Sequence, residues 1–381
     1  MVNYQQYLQI RAYTLRLCDN LEIEDFVIQA EEFVSPTKWH LAHTTWFFEA
    51  FVLKEHQKGY LEFNPHFNFF FNSYYNGKGD RTPRNYRGLM TRPTVKEVMD
   101  YRKYVDDAMK TFFETHPIDR HKSDLIELGF NHEQQHQELL ITDLKYNLAL
   151  NPLLPAVLDW KEYPSSKPME WVSVAGGLHQ IGFSGDGFSY DNESGRHQVY
   201  LEDYEISTSL VTNREFLEFI EDGGYKDHNL WHSEAWAWVN DHNIDKPLYW
   251  EAVGDKPTYY TLNGIAEMDP DAPVAHISFF EAAAYAAWKG CRLPTEFEWE
   301  AASDRFEWGS RWEWTNSSYL PYPNFTKAPG AIGEYNGKFM INQMVLRGAS
   351  VATSPGHSRN TYRNFFDTYA RWQFTGIRLV K

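Results

Sequence analysis

The chain has 381 residues, more than one ordinary hydrophobic core accommodates, so two domains are expected. Its composition, 43% hydrophobic and 23% charged, is that of a globular protein, and its net charge of -16 argues against nucleic acid or an anionic membrane as partner. It has no apolar run as long as a membrane span, no apolar signal-peptide core at its N-terminus and only two cysteines, which together predict a soluble, cytoplasmic protein.

The first 150 residues carry apolar residues at helical spacing. Ser35 and Pro36 are typical of an N-cap and first helical position, and Thr94 with Glu97 is typical of a capping box. The predicted helices are 4–17, one from Pro36 through 37–56, one from Thr94 to about 115, and 123–150. Four helices with one long connection, residues 56–93, predict a bundle whose connection carries function.

The rest of the chain has a different pattern. Residues 151–168 hold four prolines and no clear period, so they are predicted to be a linker. From residue 169 onward, short β-prone segments alternate with Gly- and Asn-rich loops, and two amphipathic helices are predicted at 213–221 and 279–289. The sequence therefore predicts an α+β protein with a helical domain, 1–150, a linker, 151–168, and a mixed domain, 169–381.

Two histidines in the fourth predicted helix are candidate metal ligands. His132 and His136 are four residues apart, so both imidazoles lie on one helical face, and Gln135 shares that face. Glu138 lies about 200° around the helix from His136, which argues against a direct ligand and for a supporting role. Apolar neighbours predict that this face points into the bundle, where unpaired imidazoles are costly.

The second predicted helix carries two more histidines, His40 and His43, in an otherwise apolar stretch. One of them can complete a three-histidine site across the bundle. Three neutral ligands leave the charge of iron(II) uncompensated and favour a substrate thiolate, but zinc also fits three histidines. The three histidine ligands alone therefore do not determine which metal binds.

Four ordered motifs make the chain similar to a known family. The stretches SPTKWHLAHTTWFFE, FNSYYNGKGDRTPRNYRGLMTRPT, HEQQHQELLITDLK and YRNFFDTYARWQFTGIRL resemble the sulfoxide synthases of ergothioneine biosynthesis. The resemblance implies a DinB-like four-helix bundle followed by a domain with the formylglycine-generating-enzyme, C-type-lectin-like fold. It also implies that His43, His132 and His136 hold Fe(II), that Gln135 binds the substrate imidazole, and that His40 is a structural neighbour.

The activity implied by the resemblance is an oxygen-dependent joining of hercynine, the trimethyl betaine of histidine, to cysteine. A carbon–sulfur bond forms at the imidazole C2 while the sulfur is oxidised to a sulfoxide. Tyr74 and Tyr75 of the long connection match residues that donate a proton during oxygen reduction, a role that suits a phenol. Arg84 and Arg87 follow in the same connection, and a guanidinium can bind the carboxylate of the sulfur donor bidentately.

The C-terminal motif contributes the remaining candidates, Asn364, Phe365 and Phe366. They match residues that contact the betaine, and aromatic faces are natural partners of a quaternary ammonium, which cannot donate a hydrogen bond. Family members that use another sulfur donor carry other residues after this asparagine. Phe365 and Phe366 therefore favour free cysteine as the donor.

Other functions remain open. Formylglycine generation needs a cysteine pair, and the second half of the chain holds only Cys291, so that chemistry is excluded. The same iron site could serve γ-glutamylcysteine, a selenosugar, or histidine as in ovothiol synthesis. A non-catalytic metal-binding module with a structural zinc would leave the tyrosines and arginines of the connection without a role.

Overall fold

The computed structural model describes residues 2–159, 162, 164, 167–252, 256–329, 333 and 335–381. The chain folds into two units. The first comprises Met1–Leu158, Pro329–Glu334 and Thr353–His357, and the second Asp159–Ala328, Tyr335–Ala352 and Ser358–Lys381. The predicted linker falls partly on residues 160, 161, 163, 165 and 166, outside the described ranges. Its bounds, and those of the two predicted domains, stay a prediction.

The first unit is helical. In chain order its helices are α1 (Tyr4–Arg16), α2 (Thr37–Phe47), α3 (Lys54–His56), α4 (Phe67–Phe71), α5 (Val95–Thr115) and α6 (Arg120–Ala149). Helices α1 and α2 each pack against both α5 and α6, which gives the four long elements of a bundle. None of the helices in the described ranges is both long and apolar enough to cross a membrane.

Local hydrogen bonds explain most of the helix boundaries. The predicted capping box at α5 is confirmed, because Thr94 Oγ1 accepts from the Glu97 N–H at 3.2 Å and Glu97 Oε2 accepts from the Thr94 N–H at 2.7 Å. Helix α6 begins earlier than predicted, since Asp119 Oδ1 accepts from the Lys122 N–H at 2.9 Å and caps it. The predicted N-cap of α2 is wrong: Pro36 holds that position.

Helix α2 continues through a π-helical segment, Phe48–Leu53, into α3. Together the three pieces make the helical run predicted at 37–56. All residues of the π segment are buried. Such segments are rare and occur often at functional sites.

A closed cluster of buried charges ties three of these helices together. Glu133 of α6 is fully buried and accepts from Arg11 Nη1 at 3.0 Å, Arg102 Nη2 at 2.6 Å and Thr14 Oγ1 at 2.7 Å. Although burial raises the pKa of Glu133, Arg102 and Arg11 lower it to about 2. The carboxylate is therefore charged at neutral pH and has charged partners on α1 and α5.

The second unit is a mixture of short strands and helices, as predicted. Its strands are β1 (Trp171–Val174), β2 (Gly177–Ile181), β3 (His197–Leu201), β4 (Tyr204–Ser207), β5 (Trp250–Ala252), β6 (Thr258–Thr261), β7 (Gly264–Glu267), β8 (Trp312–Ser318), β9 (Met344–Gly348), β10 (Asn364–Phe366) and β11 (Thr375–Gly376). Its helices are α7 (Asn213–Glu221), α8 (Ser233–Asp241), α9 (Phe279–Trp288) and α10 (Glu296–Ala302).

The strands form small sheets. Strand β1 pairs with β4, β2 with β3, and β6 with both β5 and β7, all antiparallel. The largest sheet has the order β10-β9-β8-β11, in which β11 runs parallel to β8. One buried cluster consists of Leu201, Tyr204, Ile206, Ala302 and Val380.

The α+β class is thus confirmed, and the predicted helices at 213–221 and 279–289 are observed as α7 and α9. Helices α8 and α10 and strands β5 to β7 were not predicted. Residues 364–366, which hold the C-terminal site candidates, form strand β10 and pair with β9.

Candidate metal centre

Three histidines of the first unit lie close together. His43 of α2 and His132 and His136 of α6 each present one ring nitrogen, and these atoms lie within 4.8 Å of one another. Nε2 of His43 and Nε2 of His132 are only 3.1 Å apart. Across the described residues, this is the group of histidine, cysteine or acidic side chains with the geometry of a metal site.

Aromatic rings hold two of these imidazoles in place. Trp39 stacks on His43 with ring centroids 4.5 Å apart and an interplanar angle of 13°. Phe47 stacks on His132 at 4.8 Å and 29°. These contacts fix the ring planes and exclude water, since Trp39, Phe47 and His43 are each at most 2% exposed.

The three imidazoles are neutral at neutral pH. Burial lowers the pKa of each, for His132 to about 4, and the neighbouring histidines lower the pKa of His43 and His136 further. Neutral imidazole is the form that binds a metal.

The donor arrangement fits a cation. A carbonyl can only accept, so Nδ1 of His43, 2.6 Å from the Phe71 carbonyl oxygen, carries the proton and Nε2 keeps its lone pair. Nδ1 of His132 is buried and has no hydrogen-bond partner within the described ranges. A metal ion between Nε2 of His43 and Nε2 of His132 would replace the contact between these two nitrogens with two metal–ligand bonds.

Arg87 is a buried cation beside this centre. It is 4% exposed, its guanidinium carbon lies 3.4 Å from the Trp39 ring centroid, and Nη1 donates to Ser35 Oγ at 2.9 Å. Its Nε is buried and has no hydrogen-bond partner in the part of the chain that the structure describes. Burial lowers the pKa of Arg87 to about 9, so the side chain is still charged at neutral pH. A buried cation with an unused donor is suited to binding an anion.

Arg84 has a different environment from Arg87. Its side chain is exposed, donates to the backbone oxygen of Phe33, and lies 3.5 Å from the Tyr74 hydroxyl. The structure therefore distinguishes two arginines that the sequence left equivalent.

The two candidate tyrosines also differ. Tyr75 is 5% exposed and packs against Trp46 at 5.7 Å, and Trp46 in turn stacks on His43 at 5.6 Å. Asn72 holds the backbone of Tyr75 by accepting from its N–H at 3.2 Å and donating to its carbonyl at 3.0 Å. Tyr74 is half-buried and lies beside Arg84.

The other candidates on α6 lie next to the histidines. Gln135 is half-buried and immediately precedes His136. The Glu138 carboxylate accepts from Thr353 Oγ1 at 2.8 Å, where Thr353 belongs to a segment of the first unit.

The C-terminal candidates belong to the second unit, where all three are half-buried in β10. The ring of Phe365 stacks on Tyr319 with centroids 4.1 Å apart and an angle of 12°. Phe366 meets Trp372 at 5.9 Å and 72°. Asn364 Oδ1 accepts from the Phe365 N–H at 2.9 Å.

Three residues around the centre were not predicted from the sequence as site residues, namely Ser35, Trp39 and Asp143. Trp39 is four residues before His43, and Asp143 is seven residues after His136, so each lies on the same helical face as a ligand. That spacing was an available signal. Ser35 carried none, because its partners are distant in sequence.

The chain matches two families in succession. Residues 6–140 match the DinB superfamily, and residues 159–311 match the sulfatase-modifying factor enzyme 1-like domain. The first unit is thus DinB-like, and the second is of the formylglycine-generating-enzyme, C-type-lectin-like class. The three-histidine centre belongs to the DinB-like part.

Several known proteins are similar to all or part of the chain. A hercynine oxygenase of Mycolicibacterium smegmatis is 32% identical over 66% of this chain and 70% of that protein. One of Mycobacterium tuberculosis is 28% identical over 97% of this chain and 96% of that protein. A formylglycine-generating enzyme of Thermomonospora curvata is 30% identical over 39% of this chain and 56% of that protein. The chain belongs to the hercynine oxygenase family, and it is an oxidoreductase.

Proposed function

We propose that this protein is an iron(II)- and oxygen-dependent sulfoxide synthase that joins cysteine to hercynine. One C–H bond of the imidazole and one S–H bond are lost, and one C–S bond and one S–O bond form. Dioxygen accepts the four electrons, giving the sulfoxide oxygen and one water. The observation that carries the proposal is a set of three neutral imidazoles beside Arg87, a buried cation that has no carboxylate partner among the described residues.

His43, His132 and His136 would hold the iron. Iron(II) held by these histidines would supply the electron-transfer chemistry that the reaction of a thiol with dioxygen needs. Because the protein ligands are all neutral, the charge of the metal favours an anionic sulfur ligand. Zinc fits the same ligands, so metal content must be measured with activity.

Arg87 binds the carboxylate of the sulfur donor in this proposal. Its stacking on Trp39 and its bond to Ser35 restrict the guanidinium, while Nε remains available to an incoming oxygen. Trp39 also stacks on His43, so one indole ring orients both the cation and a metal ligand. Arg84, which is exposed, contributes less.

Tyr75 and Tyr74 are proposed as proton donors. Oxygen reduction consumes protons, and a phenol keeps its proton until a strong base forms beside it. Tyr75 is the better placed of the two, since its ring contacts Trp46, which stacks on His43.

The acceptor substrate is proposed to bind through Gln135 and the β10 residues. Gln135, one residue before His136, can hydrogen-bond an imidazole nitrogen. Asn364, Phe365 and Phe366 supply an amide and aromatic rings for the carboxylate and the trimethylammonium group of hercynine.

The decisive experiment measures oxygen consumption and product mass with iron(II)-loaded protein. Hercynine with cysteine should give a product heavier than the sum of the substrates by one oxygen atom less two hydrogen atoms. The zinc(II)-loaded protein is the control and should be inactive. Cysteine should exceed γ-glutamylcysteine and a selenosugar as donor, and hercynine should exceed histidine as acceptor.

The other outcomes are equally informative. A better rate with another donor or acceptor would retain the chemistry and reassign the substrate. Tight metal binding with no oxygen consumption for any substrate pair would overturn the proposal and indicate a non-catalytic metal-binding module.

A further inference from the structure

A hydrogen-bonded chain leads away from one of the three histidines. Nδ1 of His136 lies 2.9 Å from Nδ1 of His40, and Nε2 of His40 lies 3.1 Å from Oδ2 of Asp143. His40 and Asp143 are each 2% exposed. The Asp143 oxygen is held in turn by the Ser35 N–H at 2.8 Å.

The chemistry of these groups determines which of the ring nitrogens carry a proton. A carboxylate accepts hydrogen bonds, so the proton between His40 and Asp143 belongs to Nε2 of His40. In the neutral ring, Nδ1 of His40 is then an acceptor. It can only be satisfied by a proton on Nδ1 of His136, which leaves Nε2 of His136 with a free lone pair.

The opposite arrangement of protons would prevent His136 from binding a metal. If His40 carried protons on both nitrogens, Nδ1 of His136 would be the acceptor and its Nε2 would carry the proton. A protonated nitrogen cannot bind a metal.

The same logic operates at another ligand. The carbonyl of Phe71 places a proton on Nδ1 of His43 and frees its Nε2. The protein therefore fixes the tautomer of His43 through a backbone oxygen, and that of His136 through the side chains of His40 and Asp143.

We propose that Asp143 and His40 are positioning residues that hold His136 in its Nδ1–H tautomer, so that Nε2 is available before any metal arrives. The inference rests on the proposed function only in taking His136 as a metal ligand. The tautomer itself is a property of the metal-free protein and can be measured without activity.

The first test is nitrogen NMR of the metal-free protein labelled with ¹⁵N-histidine. Long-range proton–nitrogen spectra distinguish a protonated ring nitrogen from a bare one. We expect His136 with a proton on Nδ1 and none on Nε2, and His40 with a proton on Nε2 alone. A proton on Nε2 of His136, or a doubly protonated His40, would overturn the proposal.

The second test compares metal affinity in three variants. His40→Leu removes the acceptor for His136 Nδ1–H, and zinc(II) or iron(II) affinity should fall ~10–100-fold. His40→Gln can accept from His136 through its amide oxygen and donate to Asp143 through its amide nitrogen, so most of the affinity should return. Thr44→Val changes the same helix without touching the chain and should leave affinity unchanged.

Two results would overturn the positioning role of His40, and a third would overturn only the proposed function. Wild-type affinity in a folded His40→Leu protein, or equal losses in the Leu and Gln variants, would overturn the positioning role. If His40→Leu does not fold, the tautomer measurement and the Gln variant still decide the question. Failure of the wild-type protein to bind any metal would defeat the proposed function, whereas the tautomer result would stand.

Discussion

Arg87 of the first unit and two buried arginines of the second unit have different surroundings. In the second unit, Arg363 contacts Glu296 through two hydrogen bonds of 2.8 and 2.9 Å, and Arg378 contacts Glu313 through two of 2.6 and 2.8 Å. In the first unit, Arg87 is also buried, but its partners among the described residues are a serine hydroxyl and an indole face. We call the two arginines that are paired with a carboxylate closed pairs, and we call Arg87, which has no carboxylate partner among the described residues, an open cation.

The pKa directions express this difference. Burial lowers the pKa of Arg363, but Glu296 and Tyr322 together raise it, so the net direction is upward. For Arg87 burial dominates and the pKa falls. Closed pairs should therefore matter for stability, and open groups should matter for binding and turnover.

The largest expected effect is the loss of a metal ligand. In His136→Ala, iron binding and sulfoxide formation should fall to background, because two imidazoles remain where three converge. The unfolding free energy of the metal-free protein should change by only ~1–2 kcal/mol. Iron titration under nitrogen and urea unfolding measure the two effects. Near-stoichiometric iron binding with activity retained would refute the ligand assignment.

Removing the carboxylate of a closed pair should instead lower the stability of the protein. Glu313→Ala leaves Arg378 without its carboxylate and the Trp299 indole N–H without its acceptor, so stability should fall ~3–5 kcal/mol. The double variant Glu313→Leu, Arg378→Met removes both charges and should lose clearly less. Urea midpoints of the metal-free proteins give the comparison. Equal losses in the single and double variants would mean that charge pairing is not the cause.

Loss of a proposed proton donor should lower turnover and spare stability. Tyr75→Phe keeps the ring that packs on Trp46 and removes the hydroxyl, so turnover should fall ~10²-fold and the product should shift from sulfoxide to oxidised thiol. Tyr74→Phe should have the smaller effect. Product ratios by mass spectrometry provide the measurement. A double variant that makes sulfoxide at the wild-type rate would assign the role elsewhere.

Removing the open cation should weaken one substrate specifically. In Arg87→Met, the KM for cysteine should rise ~10–100-fold, because a charge-assisted bond to the carboxylate is lost. The KM for cysteamine, a thiol without a carboxylate, should stay the same. Arg84→Met is the matched control and should change either value little, since Arg84 is exposed. Similar changes for both thiols would show that Arg87 supports the fold rather than the carboxylate.

The smallest expected effect concerns the aromatic rings of β10. Phe366→Ala should weaken hercynine by ~1–2 kcal/mol if the ring contacts the trimethylammonium group, and histidine should be affected less. Phe365, whose ring stacks on Tyr319 at 4.1 Å, should cost stability as well when replaced. Affinities from calorimetry test both variants. Equal losses for hercynine and histidine would indicate that these rings only pack the second unit.

Much of the fold could be predicted because its signals are local. The capping box of α5 joins Thr94 to Glu97 three residues away, and the amphipathic pattern of α7 gave its bounds. Helix α8 was missed because its amphipathic pattern is weaker than that of α7, which has the same length of nine residues, and α10 was missed because it has only seven residues. Short elements have weak periodicity and depend on tertiary packing.

By itself the sequence determined the helical and mixed halves, the two histidines of α6 on one face, and the motifs that place the chain in its family. Only the tertiary structure decided how the remaining polar groups pair. Ser35 has the sequence of an N-cap, yet its hydroxyl accepts from Arg87 and its N–H donates to Asp143, 108 residues away. The bond between His40 and Asp143 spans 103 residues. Such pairings depend on which helix faces meet in the bundle, and no local hydrogen-bonding preference encodes that choice.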